Sequence, residues 1–514
     1  MIQIEEILNK IFHSEVKDLR RAIVVGSTVF GSLIEQSRYS RSPTVARIIK
    51  ALYILLLKTV CVKMNNNELL RIKCVKWMTL IMMAIIVFVV DASIVRHQTR
   101  EVLDRNVSEG KKESKDLGKR ITYKGDQVWR IHKENSTVEE LVHRYDEYGS
   151  YSIWSNNISV ADILVESNMV ENIESLFRSN GVKYDILIND VEQAIKEENP
   201  PLSPEAQEEL EGRKGHRMEW TTYHRLADIY GYLDYLAETY PDFCSVQTIG
   251  NSIEGRPLKV LRISNGKPNA PAIWIDGGIH AREWISPASV TYIIDYLVEN
   301  SENLEIDYYI MPVINPDGYE YTFTVDRLWR KNRRKSGYAG CSGVDLNRNF
   351  GYRWGGKGAS QDICRDTYSG AKPFSEPETD AIRNFFEISS ANFKAYLSFH
   401  SYGQYILYPW GYDKRLPPDY VDLDKVGREA AMAMKKAGGS ASVYTVGNSA
   451  TILYPASGGS DDWAKALLKL KYTYTIELRD TGRYGFILPA RYIIPTAKEA
   501  LAAVEIVAKA CKTA

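Results

Sequence analysis

Two histidines and a glutamate follow strand-like segments near the carboxyl-terminal half of the chain and could share one metal ion. His280 and Glu283 come directly after the apolar segment Ala272–Asp276, and His400 follows the segment Lys394–Ser398. A catalytic zinc site uses three nitrogen or oxygen ligands and keeps one position open for water. These side chains fit that pattern if the two strand ends are neighbours. The spacing alone is a weak signal, because a histidine at a strand end more often makes an ordinary hydrogen bond.

The segments around these residues alternate between strands and helices. Predicted strands are Leu258–Ile263, Ala272–Asp276, Tyr308–Val313, Lys394–Ser398 and Tyr472–Ile476, and predicted helices lie near Tyr223–Thr239, Ser286–Asn300, Glu376–Ser389, Asp424–Ala437 and Pro495–Cys511. Such alternation predicts an α/β fold with a mixed, largely parallel central sheet and helices on both faces. Ligands of such sheets gather at the carboxyl ends of the strands, where His280 and His400 stand.

The composition is that of a globular protein with an ample core. The chain has 514 residues, of which 44% are hydrophobic, and its 65 Lys+Arg equal its 65 Asp+Glu. This length predicts one large domain and at least one smaller unit. A general nucleic-acid binder is disfavoured, because such proteins carry an excess of positive charge.

The first part of the chain has the layout of an extension followed by a secretory signal. Residues 1–77 show no long periodic pattern. An apolar run, Trp77–Val90, comes next and is followed by small residues suited to cleavage. We therefore expect a signal at 78–93, a linker at 94–122 and a secreted protein. The run is short for a membrane span, but retention as an anchor is the alternative. Three glycan acceptor motifs agree with secretion: Asn106, Asn135 and Asn157.

Residues 123–213 form a small acidic unit. Their predicted element order is β-α-β-β-α-β, which gives a ferredoxin-like α+β domain. A proline-containing stretch follows, and then the basic run Arg213–Arg217. A basic run after such a linker predicts a site for a trypsin-like protease, the alternative being a plain linker between domains. Residues 214–514 make up the large domain.

Six strings in residues 123–514 resemble the zinc metallocarboxypeptidases of the pancreatic procarboxypeptidase A and B type, most closely the B type. The strings are GGIHAREW, LWRKNRR, GVDLNRNF, SFHSYGQ, YPASGGSDDW and IELRDTGRYGF. The resemblance implies a carboxypeptidase-like fold and one zinc ion per catalytic domain, bound by His280, Glu283 and His400. It implies that Asp345 orients a zinc-bound histidine. It also implies that the acidic unit is an activation peptide that covers the active site of a digestive zymogen.

Peptide hydrolysis needs a base for the attacking water and positive charge where the oxyanion develops. The resemblance assigns these roles to Glu477 and Arg330. Without the resemblance, Glu477 would be interpreted as a surface carboxylate paired with Arg479 or Arg483.

An exopeptidase must also recognise the terminal carboxylate of its substrate. A planar guanidinium binds a carboxylate through two hydrogen bonds, which suits Arg348 beside Asn347. The resemblance adds Tyr454 as a mobile ring that closes over the terminal residue. It further implies that upstream residues are contacted by Arg282, Arg327, Ser401 and Tyr402.

Several cations of the WRKNRR string are open to a simpler interpretation. We expect Lys331, Arg333 and Arg334 to belong to a solvated basic loop.

One position decides the predicted specificity. Asp461 takes the pocket-floor position that is aspartate in the B type and apolar in the A type, so the resemblance implies a preference for carboxyl-terminal Lys or Arg. A carboxylate in a closed pocket disfavours an apolar ligand. The alternative is that Ser460 caps a helix and Asp461 only favours its positive end, which would leave an A-type preference. An inactive peptide-binding homologue is a further alternative.

The pairing of the cysteines and the binding partners can also be predicted. The resemblance implies a disulfide between Cys341 and Cys364, while Cys244 and Cys511 either pair or remain thiols. The expected partners are peptide carboxyl termini and the activating protease, with no nucleic acid, and the default oligomeric state is a monomer.

Overall fold

The computed structural model of the chain describes residues 120–134, 138–142, 152–213, 215–264, 266–337 and 340–513. The apolar run Trp77–Val90 and the acceptors Asn106 and Asn135 lie outside these residues. Among the described residues, none of the helices combines the length and the apolar character that a membrane span needs.

The small domain, residues 120–198, is built on a four-stranded antiparallel sheet in the order β2-β3-β1-β4. The strands are β1 Gln127–His132, β2 Ser152–Asn156, β3 Val160–Val165 and β4 Tyr184–Ile188. A helical segment at 138–142 and the helix α1 Val170–Ser179 follow the predicted order, and α2 Val191–Glu198 ends the domain. Successive side chains of β1 point to opposite faces of the sheet and pack in different hydrophobic clusters. Trp129 packs with Phe177 of α1, while Val128 joins Leu328 and Phe486 of the large domain.

The large domain carries an eight-stranded sheet. Its strands are β5 Cys244–Asn251, β6 Pro257–Ile263, β7 Pro271–Asp276, β8 Asp307–Met311, β9 Asn392–Ser401, β10 Tyr405–Tyr408, β11 Thr445–Asn448 and β12 Tyr472–Leu478. The order is β11-β10-β12-β9-β7-β8-β6-β5. The four adjacent strands β12, β9, β7 and β8 are parallel, and antiparallel pairs flank them. The sheet is therefore mixed and parallel at its centre, which confirms the predicted fold class.

Helices cover both faces of this sheet. The helix α3 Pro204–Gly212 links the domains, and the others are α4 Leu226–Thr239, α5 Ile285–Glu299, α6 Pro316–Thr324, α7 Pro377–Ile388, α8 Tyr420–Gly438, α9 Ser449–Ile452, α10 Ser460–Ala466 and α11 Ile493–Cys511. Successive residues of β7 enter different hydrophobic clusters. Ile273 and Ile275 pack in the cluster that includes α5 and α11, whereas Trp274 packs against Phe385 of α7. Both faces are buried, which is why the central strands are apolar throughout.

Of the four cysteines within the described residues, two form a disulfide and two do not. Cys341 and Cys364 are bonded, with a sequence separation of 23, whereas Cys244 and Cys511 are buried free thiols.

The prediction of a solvated basic loop is wrong for Lys331. Its ammonium group is buried and donates to the backbone oxygen of Ile363 at 2.8 Å. Arg333 lies over the ring of Tyr321, and Arg334 donates to the buried Glu376. The loop thus uses its cations to hold the structure together.

The buried hydroxyl of Ser286, in the first turn of α5, ties the ends of β7 and β9 together. It donates to the carbonyl oxygen of Phe399 at 2.6 Å and accepts from the amide of Gly278 at 3.0 Å. We expect Ser286→Ala to lower the free energy of unfolding by about 1–3 kcal/mol, because both partners lose a buried bond. Denaturant unfolding measures this change.

Ser289→Ala is the matched control. Ser289 is fully buried in the same helix, and its hydroxyl has no hydrogen-bond partner within the part of the chain that the structure describes. Ser289→Ala should lower the free energy of unfolding much less than Ser286→Ala does. Equal decreases in the two variants would contradict the structural role given to the hydroxyl of Ser286.

Candidate metal centre and active site

The parallel pairing of β7 with β9 brings the three candidate ligands together. Asp276, the last residue of β7, lies opposite Ser398 of β9, so the chain after β7 reaches the level of His400. A turn with φ of +62° at Gly278 then leads to His280. A side chain is disfavoured at such a φ, which explains the glycine. The donor atoms of His280, Glu283 and His400 all lie within 4.8 Å of one another, and all three residues are buried.

The two imidazole rings face each other through their Nδ1 atoms. These atoms are 3.2 Å apart, and His280 Nδ1 is 2.8 Å from Glu283 Oε1. The Nε2 atom of His280 lies 3.2 Å from Asp345 Oδ1. The Nε2 atom of His400 lies 3.1 Å from the hydroxyl of Ser398. With Nε2–H as the donor in both rings, each Nδ1 presents a lone pair to the centre, as a metal ligand must.

The charge of Glu283 suits a cation. Burial disfavours the ionised form, but hydrogen bonds from His280 and His400 and the positive charge that these imidazoles carry when protonated outweigh it and hold the pKa of this carboxyl well below its usual range. A metal cation takes the place of those protons. Two neutral imidazole nitrogens and one carboxylate are then the donor set of a zinc site that keeps an open position. The residues therefore fit a bound zinc ion.

Two residues that sequence reasoning did not single out complete the support of His400. The hydroxyl of Ser398 donates to Asp276 Oδ1 at 2.6 Å, which leaves its oxygen free to accept from His400. A signal for Ser398 was available, because residues two apart on a strand point to the same side of the sheet.

Asp345 connects the metal centre to Arg330. Its Oδ2 atom accepts from Nη2 of Arg330 at 2.9 Å, and its Oδ1 atom accepts from the amide of Asn347 at 3.0 Å. One carboxylate thereby positions a candidate ligand, the candidate oxyanion-binding group and the following turn. The side chain of Arg348 is fastened by the backbone oxygens of Gly358 and Asn347, at 3.0 and 2.9 Å.

Glu477 stands beside the candidate ligands. The register of β12 against β9 places it directly opposite His400. Burial, with a contribution from Glu283, raises the pKa of Glu477 to about 8, although His400 acts against it. Arg479, one of the alternative partners from the sequence, binds Glu499 instead. A carboxyl group with such a pKa can accept and return a proton near neutral pH.

A cavity of about 110 Å³ unites most of the predicted site residues. Its walls include His280, Glu283, His400, Glu477, Arg330, Asn347, Arg348, Tyr454, Asp461, Ser401 and Tyr402. Arg282 lies apart from this wall, with its guanidinium 4.2 Å from the ring centre of Phe486. Arg327 is deeply buried and forms an ion pair with Glu198 of the small domain.

Asp461 and Asp462 are both buried but have different surroundings. Asp462 accepts from the backbone amides of Gly411 and Tyr412, at 2.8 and 2.9 Å. Asp461 lines the cavity together with Ser449, and burial raises the pKa of its carboxyl. The cap position of α10 is Gly459, without a side-chain capping bond, so the alternative in which Ser460 caps the helix does not hold.

The small domain covers this cavity. Trp154, Ser155 and Asn156, at the end of β2, form part of its wall. The hydroxyl of Tyr402 donates to Asp162 of β3 at 2.8 Å. These small-domain residues escaped sequence reasoning, since their role depends on how two separately folded sheets meet.

Asn157, the one glycan acceptor among the described residues, lies at this contact. Its side-chain amide donates to the hydroxyl of Tyr405 in the large domain at 3.2 Å. An N-linked glycan is attached through the same nitrogen, so it would have to occupy the contact between the domains.

Comparison with known proteins agrees with this geometry. The family model described as "Zinc carboxypeptidase" matches residues 229–503, and the model described as "Carboxypeptidase activation peptide" matches residues 129–198. Carboxypeptidase B of Astacus astacus is 48% identical over 301 residues, which cover 57% of this chain and 99% of that protein. Carboxypeptidase A2 of Rattus norvegicus is 37% identical over 393 residues, which cover 74% of this chain and 92% of that protein.

A solved structure extends the likeness to the fold. The crystal structure of thrombin activatable fibrinolysis inhibitor aligns with a TM-score of 0.68 and 35% identity, covering 76% of this chain and all of that one. The chain therefore belongs to the zinc carboxypeptidase family, and it is a metallocarboxypeptidase zymogen with an activation peptide and one zinc site.

Proposed function

We propose that this carboxypeptidase prefers peptides that end in lysine or arginine. The observation that carries the proposal is the buried carboxyl of Asp461 in the wall of the active-site cavity. A desolvated carboxylate is costly without a partner, and the ammonium or guanidinium of a substrate would provide one. An apolar side chain would leave the charge unpaired.

The catalytic roles proposed for the other residues follow from their positions. Zinc, when bound by His280, Glu283 and His400, supplies a Lewis acid and lowers the pKa of water. Glu477 takes the proton of the attacking water and delivers it to the leaving amine. Arg330, held by Asp345, stabilises the oxyanion.

The terminal carboxylate of the substrate is bound by Arg348 with Asn347. The guanidinium of Arg348 is fixed by backbone oxygens and borders the same cavity, which makes it a preorganised carboxylate site. Tyr454, 37% exposed at the cavity wall, closes over the bound residue. Upstream residues are contacted by Ser401, Tyr402, Arg282 and Arg327 once the small domain has left.

The zymogen is proposed to be a secreted digestive monomer, with the signal at 78–93, the activation domain at 123–213 and the catalytic domain from 214. The disulfide between Cys341 and Cys364 supports an oxidising compartment. The alternative, a membrane anchor at Trp77–Val90, predicts activity that stays with membranes.

We propose further that the activating cut falls before Gly215, after Arg213 or Lys214. Arg213 and Arg217 are both exposed. The residues around Arg217 are held in place, however. The ring of His216 lies 4.7 Å from that of Tyr232, and Met218 is only 2% exposed. A protease binds the residues on both sides of the bond in an extended form. A cut after Arg217 would require Met218 to leave the core, whereas a cut after Arg213 requires only the exposed end of α3 to unwind.

Substrate preference tests the role of Asp461. We expect Asp461→Asn to lower kcat/KM roughly 100-fold for a peptide that ends in Arg, because the substrate cation loses its partner. A matched peptide that ends in Phe should lose far less. Ser449→Ala, in the same wall, is the control and should change the ratio of the two rates little. Equal losses on both peptides would contradict this role of Asp461, and a wild-type enzyme that hydrolyses the Phe-ended peptide faster would favour the A-type alternative.

Separate measurements of zinc content and activity test Glu477. We expect Glu477→Gln to lower kcat by about 10²–10⁴-fold while the protein keeps one zinc ion, because it removes the base and no ligand. Glu283→Gln should lose the zinc as well as the activity. A Glu477→Gln enzyme with near-normal kcat would refute the assignment, and an inactive wild-type enzyme with zinc bound would favour a peptide-binding protein.

The position of the activating cut is tested by limited trypsin treatment. Amino-terminal sequencing of the product should begin at Lys214 or Gly215. The double variant Arg213→Gln with Lys214→Gln should resist activation, whereas Arg217→Gln should be activated normally. A product that begins at Met218 would contradict the proposed position.

A further inference from the structure

A segment before the first strand of the small domain is fastened to the large domain. Residues 120–126, called the strap below, lie ahead of residue 129, where the match to the activation-peptide model begins. The amide of Ile121 donates to the backbone oxygen of Val325 at 2.7 Å. Tyr123 is 9% exposed, and its hydroxyl donates to Oδ1 of Asp326.

The strap is also hydrogen-bonded to the rest of the small domain. The amide of Tyr123 donates to Glu192 Oε2 at 2.9 Å, and the amide of Val191 donates to the backbone oxygen of Asp126 at 2.9 Å. Both acceptor and donor lie in or at the start of α2, the last helix of the small domain. Because the strap is bonded to α2, the contact between Tyr123 and Asp326 holds the whole small domain against the large domain.

Two consecutive residues of the large domain receive contacts from the two ends of the small domain. Asp326 binds Tyr123 at its beginning, and Arg327 binds Glu198 at its end. The same loop leads directly to Arg330. A second cavity, of about 180 Å³, lies here, and its walls include Tyr123, Asp326 and Arg330. The strap thus borders the side of the site on which Arg330 stands, the residue proposed to bind the oxyanion.

Cleavage between Arg213 and Arg217 leaves both contacts intact, because Tyr123 and Glu198 lie on the same side of the cut. We propose that the Tyr123–Asp326 hydrogen bond is an autoinhibitory contact that keeps the small domain docked after the chain has been cut. Activation then has two steps, hydrolysis of the linker and release of the strap. This inference goes beyond the proposed substrate preference and does not depend on it.

The Tyr123–Asp326 hydrogen bond is partly buried, so its loss should weaken the binding of the small domain to the large domain. Burial raises the pKa of Asp326, and its Oδ1 atom also accepts the amide of Leu328 at 3.0 Å. Removing the tyrosine hydroxyl leaves a buried carboxyl with one donor fewer. Losing such a bond to a charged group corresponds to roughly a 10-fold faster dissociation of the cut small domain.

The test uses the full chain with Arg213–Arg217 replaced by a recognition sequence for a protease that cuts nowhere else in it. After the cut, size-exclusion chromatography follows the dissociation of the small domain, and hydrolysis of an Arg-ended peptide follows the onset of activity. Tyr123→Phe keeps the ring and removes the hydroxyl. We expect cutting at the wild-type rate but dissociation roughly 10-fold faster.

Two checks make the result decisive. The released large domain is the same chain in wild type and variant, so its kcat/KM must be identical. Tyr184→Phe is the matched control, because the ring of Tyr184 stacks on Trp129 inside the small domain. Equal dissociation of wild type and Tyr123→Phe, or equal acceleration by Tyr184→Phe, would overturn the proposal. Chromatography needs no activity, so a wrong substrate preference would leave this test intact.

Discussion

The parallel register of β7, β9 and β12 is the constraint on which the whole site depends. It brings the end of β7 to the level of His400 and sets Glu477 opposite that histidine. Side chains from distant parts of the chain thereby reach one edge of the sheet, His400 and Glu477 from the strands themselves and His280 from the turn that follows β7. A slip by one residue would turn His400 and Glu477 to the other face, so the site exists only in this register.

Much of this arrangement could be predicted from the sequence because the central strands are apolar and sit between amphipathic helices. The edge strands β5 and β11 and the strand β10 beside β11 were not predicted. Residues of β5 are exposed or half-buried except Cys244, and β10 and β11 have four residues each, so these segments carry too little hydrophobic pattern to be recognised. The helices α2 and α6 were missed too. Lys331 was misjudged because a lysine can bury its ammonium group where backbone oxygens converge.

Within the site, residue types and strand ends suggested His280, Glu283 and His400 only weakly, and the family resemblance made the assignment. The residues that hydrogen-bond to these ligands could be identified only from the structure. Ser398 and Asp276 are ordinary strand residues until the register of β7 and β9 makes them neighbours. The cover of the cavity was likewise beyond sequence reasoning, since it depends on contacts between two sheets. Asp345 already holds His280 and Arg330 while the small domain covers the cavity.

The most direct test of this account is anomalous diffraction at the zinc edge from crystals of the purified zymogen. We predict one peak per chain, about 2 Å from Nδ1 of both His280 and His400 and from a carboxylate oxygen of Glu283. That result would show that the strand register builds a metal site before activation. A zinc peak bound by other residues, or no peak in protein that has kept its fold in the presence of zinc, would contradict the account.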